Sequence, residues 1–130
     1  MIKELVKQVQ LKTPYLRAGY FNISAGVIMA MGKDYNGDPY SLDVNTKVIF
    51  AVPPEEDQKS GDYFYIRVAS PKEKGYKLNI SANAKKINGI ASCRITAIKL
   101  KNEGYINADY EYLGIESHFG IKYFTFRLAE

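Results

Sequence analysis

The chain is expected to fold as a mainly β domain, a small antiparallel barrel or sandwich. Short segments rich in Tyr, Phe, Ile, Val and Thr recur along it. Between them stand clusters of Gly, Pro, Asn and Asp that reverse a chain. These connections are short, so neighbouring strands pair antiparallel and no helical crossover is called for. A five-stranded oligonucleotide-binding (OB-like) barrel is one member of that set.

The elements follow in order. In the first eleven residues Ile2, Leu5, Val6 and Val9 fit one face of a short N-terminal helix, while Val6, Gln8 and Gln10 fit an extended segment equally; Thr13-Pro14 ends either. Strand-type segments then run over 16–31 (bent or broken at Gly26), 46–52, 62–69, 76–81, 90–99, 105–113 and 121–128. The turns between them include Asn88-Gly89, Asn102-Glu103-Gly104 and Ser117-His118-Phe119-Gly120. No repeat, low-complexity stretch or linker interrupts this pattern, so residues 1–130 read as a single domain. With 46% hydrophobic and 25% charged residues the chain has the composition of an ordered, globular protein.

The longest apolar run, Ala25 to Met31, falls well short of the roughly 18 to 20 residues a membrane span needs. The first eleven residues lack the layout of an export signal, and the lone Cys93 allows no intrachain disulfide. A cytoplasmic protein without membrane association is expected.

The net charge of +4 is unevenly spread. Residues 72–101 hold eight basic side chains against the single acid Glu73, whereas residues 102–130 carry a net −3. A concentrated basic segment recruits phosphate backbones or acidic partners, although lysines also blunt exposed strand edges.

Strict alternation gives two segments a similar pair of faces. Phe64, Ile66 and Val68 form an apolar side, which leaves Tyr63, Tyr65 and Arg67 on the other. Phe124, Phe126 and Leu128 likewise oppose Tyr123, Thr125 and Arg127. Flat tyrosine rings beside cationic groups can stack nucleobases and hold phosphates, at about 1 to 3 kcal/mol per stacked base. Cross-strand Tyr and Tyr/Arg pairs also stabilise sheets with no ligand at all.

Other motifs point to less. Asp34-x-Asn36-x-Asp38 starts like a calcium loop, but Pro39 replaces the required Gly and Asn45 the bidentate Glu, so a turn is expected. Gly32-Lys33 lacks the rest of a phosphate loop. Cys93 alternates with apolar residues and reads as a buried thiol. His118 is the only histidine and sits in a turn-like stretch; a hydrolase would need it to converge with Glu111 or Glu116 in a cleft.

The expected function is therefore non-enzymatic binding of single-stranded DNA in replication or recombination, with no cofactor and no metal. Tyr63, Tyr65 and Tyr123 would stack bases, with Arg67 and Arg127 beside them and Lys85, Lys86 and Arg94 on the phosphates. The alternative is a protein-binding or assembly module, such as a phage structural subunit or an inhibitor of a host protein, whose Tyr-rich face and lysines meet an acidic partner. Open strand edges are compatible with a homo-oligomer. In small size and high Lys, Tyr and Asn content the chain resembles accessory proteins of phages and mobile elements, a likeness of composition alone.

Overall fold

The computed structural model describes residues 13–80, 86, 87 and 89–129. The expected N-terminal helix and Lys85 lie outside them. Ten strands and two helices are present in the described part: β1 (Tyr15–Arg17), β2 (Tyr20–Ile23), α1 (Ala25–Asn36), β3 (Lys47–Ala51), β4 (Tyr63–Val68), β5 (Tyr76–Lys77), β6 (Lys86–Ile87), β7 (Ile90–Ala91), β8 (Cys93–Thr96), α2 (Ile98–Asn102), β9 (Tyr110–His118) and β10 (Ile121–Leu128). The fold is mainly β, as expected.

Two antiparallel sheets face each other, one in the order β1-β2-β8 and the other in the order β5-β3-β4-β10-β9. The β6–β7 hairpin forms a small third sheet. Backbone hydrogen bonds join the two main sheets at both edges. On one side Leu16 N donates to Ala108 O and Tyr110 N to Pro14 O. On the other, Asn79 and Arg94 exchange a pair of bonds at 2.8 Å. A small sandwich stitched along both seams exposes few unpaired strand groups.

Between the sheets lies an aromatic core. The Phe21 ring sits edge-on to Phe64 and Phe126, each 5.0 Å away, and Phe64 stacks on Phe126 at 5.3 Å. Leu16, Ile23, Ile66, Ile95 and Phe124 complete it at 2% exposure or less. Each such side chain contributes about 1.5 to 3 kcal/mol by leaving water. These residues are the inward members of the alternating strands, so the Tyr/Arg members point outward.

Four sequence-based boundaries are corrected; of the segment 76–81, only Tyr76–Lys77 is a strand among the described residues, with a single bridge following at Asn79. The segment 16–31 is not one bent strand but β1, β2 and the first half of α1. Ser24 caps that helix by accepting from Val27 N, and Ala25, Val27, Ile28 and Met31 make its buried side. The segment 90–99 is split into β7, β8 and the start of the one-turn helix α2. The strand placed at 105–113 runs instead from Tyr110 to His118, because 105–109 is anchored as a loop by Tyr105, whose hydroxyl donates to Tyr63 O. The Asp34–Asp38 motif lies at the end of α1, where Asp34 accepts from the Tyr112 hydroxyl and Gly37 closes the helix at a φ of 73°. No described helix is long and apolar enough to cross a membrane.

Candidate functional site

β4 and β10 are hydrogen-bonded neighbours, with Thr125 opposite Tyr65 and Arg127 opposite Tyr63. The structure therefore brings Tyr63, Tyr65, Arg67, Tyr123 and Arg127 onto one outer face. Both arginines there are clamped. Arg67 forms a two-pronged ion pair with Glu73, Nη1 to Oε1 at 2.8 Å and Nη2 to Oε2 at 2.5 Å. The Arg67 hydrogen bonds, with a further one from Ser70 N, hold the Glu73 carboxyl down at about 2. Arg127 binds Glu111 through Nε and Nη2, which raises its own affinity for the proton.

A β-bulge decides what else joins this face. Between β9 and β10 the register shifts at Thr125/Phe126, so Tyr112 faces Phe126 and Gly114 faces Thr125, with Leu113 as the extra residue. Gly114 absorbs the bulge at a φ of 101°, a conformation closed to most side chains. Before the bulge, even-numbered Tyr110 and Tyr112 point inward; after it, even-numbered Glu116 and His118 share the outer side with Tyr123.

There, Tyr65, Tyr123 and His118 form a triangle of rings with centroids 5.6, 5.6 and 6.1 Å apart, every pair inclined by 67° to 72°. Thr125, 2% exposed, lies in the same face and donates its hydroxyl to Glu116 at 2.8 Å. Burial, and then the charges of Glu116 and Asp57, push the Tyr65 hydroxyl above its ordinary pKa. Lys59 Nζ sits 5.0 Å from the centre of the Tyr63 ring. This surface is aromatic and rich in carboxylate.

The remaining expected contacts lie elsewhere. Lys86 stands on the β6–β7 hairpin and lines an apolar recess of about 290 Å³ with Ile28, Leu42, Leu78 and Cys93. Cys93 is 5% exposed, and burial pushes its thiol up to about 12. Arg94 belongs to the other sheet, with its guanidinium 4.9 Å from the centre of the Tyr20 ring.

The outer face of that second sheet holds Tyr15 and Arg17 from β1, Tyr20 and Asn22 from β2, and Arg94 and Thr96 from β8, in direct cross-strand register. At the β8 edge the stitch between Asn79 and Arg94 joins this face to β5 of the five-stranded sheet, where Lys77 is exposed two residues before the seam. Tyr15 and Tyr20 are 43% and 39% exposed. Neither Arg17 nor Arg94 forms an ion pair among the described residues; the nearest acid in the register is Asp109, opposite Tyr15 at the edge. The α2 helix, with exposed Lys99 and Lys101, abuts the β1–β2 turn through the bond from Ala97 N to Gly19 O. Three cations of the basic segment, Arg94, Lys99 and Lys101, therefore stand at this sheet.

No family model, curated protein or solved structure matches the chain.

The small-sheet face escaped the sequence reading, although the alternation Tyr15-Leu16-Arg17 and Tyr20-Phe21-Asn22 carries the same signal as the two longer strands. His118 and Glu116 had no comparable signal, because a bulge placed them.

Proposed function

We propose that the chain is a non-enzymatic module that binds single-stranded nucleic acid on the outer face of the β1-β2-β8 sheet. The observation that carries this reading is the pairing of two exposed tyrosines, Tyr15 and Tyr20, with Arg17 and Arg94, which have no carboxylate partner among the described residues. Rings open to solvent can take a base on their π-face, and cations without a partner can exchange their hydration for a phosphate. The Arg94 guanidinium lies over the Tyr20 ring and covers one of its faces, and it offers its own plane to a base, since bases stack on guanidinium planes as on aromatic rings. On the Tyr63/Tyr65/Tyr123 face, by contrast, Arg67 and Arg127 would have to break ion pairs with Glu73 and Glu111 before meeting a phosphate. Stacking therefore belongs to Tyr15 and Tyr20, and phosphate contact to Arg17, Arg94 and Lys77.

The test is a fluorescence-anisotropy titration of a labelled single strand of about 30 nucleotides, long enough to cover the site of one small β module. Replacing Tyr15 and Tyr20 together by Leu is expected to abolish most of the affinity. Replacing Tyr65 and Tyr123 is expected to leave it intact. Binding that follows the second pair, or no binding even in low salt, would sink the proposal.

A further inference from the structure

The Tyr65, Tyr123 and His118 rings stand close to mutually perpendicular at nearly equal spacing. Three such planes bound a corner. Rings inclined in this way can turn π-faces toward one point, and a cation docked on the cluster would come within the roughly 6 Å range of cation–π attraction. Two carboxylates, Glu116 and Asp57, act on these rings. Glu116 shares the outer face of the sheet with the rings and is fixed by the Thr125 hydroxyl, and the charge of Asp57 also acts on Tyr65. The face already holds one ammonium, that of Lys59 beside Tyr63.

The β9–β10 turn borders this corner. His118 pairs with Ile121, leaving Phe119 and Gly120 as a two-residue turn with φ values of 53° and 78°. Both values are positive, as the mirror-image turn of tight hairpins requires; Asn or Gly suits the first position and Phe does not. Phe119 is nevertheless there and fully exposed, and Ile121 beside it is 45% exposed. A bulky apolar residue held in a costly backbone conformation with its ring in water is the kind of local strain that marks binding surfaces.

We propose that this end of the aromatic face is a docking site for a partner protein, which places a lysine ammonium in the Tyr65/Tyr123/His118 corner and an apolar side chain against Phe119. Lysine fits better than arginine because a compact ammonium can approach three perpendicular rings at once, whereas a planar guanidinium stacks on one. The site lies on the sheet opposite the one assigned to nucleic acid and does not depend on that reading.

The experiment uses the full chain. His118 is the only histidine, so its imidazole carbon–proton signals form a single clean NMR reporter. The probe is a capped Leu-Lys-Leu peptide, with the Nε-acetyl-lysine version and sodium chloride of equal ionic strength as controls. The peptide should shift the His118 signals saturably and both controls should not. Tyr65→Leu and Glu116→Gln, the latter still able to accept from Thr125, should each weaken binding by about twofold to thirtyfold. Phe119→Asn should remove the advantage of flanking leucines over serines while the chain stays folded. An equal response to the acetylated peptide or to an arginine peptide, or an unchanged response in Glu116→Gln, would overturn the assignment.

Discussion

If Arg17, Arg94 and Lys77 meet phosphates, binding should weaken with salt in proportion to their number. Each phosphate neutralised on a single strand contributes about −0.7 to the slope of log affinity against log salt, so three contacts give a slope of about −2. Raising salt from about 50 to 200 mM would then cost the wild type roughly eighteenfold in affinity. Arg94→Gln removes one contact, which should flatten the slope to about −1.4 and reduce the loss to roughly sevenfold. Tyr20→Leu acts differently: it removes a stacking surface of about 1 to 3 kcal/mol, shifting affinity roughly fivefold to 150-fold at every salt concentration. Arg67→Gln and Arg127→Gln should change neither quantity, since both side chains are held by carboxylates. The assay is anisotropy of a labelled oligonucleotide over a series of salt concentrations, with circular dichroism to verify folding. A slope unaffected by Arg94→Gln and Arg17→Gln, or one that flattens with Arg67→Gln, would refute the assignment of the phosphate-binding face.

Phe119→Asn should stabilise the protein by about 1 kcal/mol, because Asn tolerates the left-handed conformation that Phe119 occupies, and thermal unfolding would register it. Cys93 should resist a thiol-reactive dye in the native protein and react fully in denaturant, since its thiol is buried and protonated up to about pH 12. The Glu73 carboxyl titrates lower in the folded chain than in the unfolded one, so its stabilising effect is complete above about pH 4.5 and disappears as pH falls through about 2. Acid unfolding of Glu73→Gln should therefore differ from that of the wild type at neutral pH and converge with it near pH 2. Tyr105→Phe should cost about 1 kcal/mol in urea unfolding by deleting the hydrogen bond to Tyr63 O.

Much of the fold was legible in the sequence. The strands at 46–52, 62–69 and 121–128 match β3, β4 and β10 closely; the first is a short β-branched and aromatic apolar run, and in the other two strict alternation of apolar and polar residues leaves a sheet only one way to bury its face. The same alternation placed Tyr63, Tyr65, Arg67, Tyr123 and Arg127 together. It could not show that Glu73 and Glu111 would claim both arginines, since Glu73 reaches Arg67 from a loop and Glu111 lies on a strand whose start was misplaced. Helix α1 was hidden because Ala25–Met31 is apolar enough for either structure, and the cap at Ser24 with burial against the sheets settled it.

By itself the sequence determined which residues of the alternating segments 62–69 and 121–128 share the apolar face and which share the opposite one, for that depends on local periodicity and the hydrophobic effect. Only the tertiary structure decided which cations have no carboxylate partner among the described residues and which rings meet. Those outcomes depend on strand pairing across long sequence separations and on a single extra residue at Leu113, which reverses the faces of everything after it on β9.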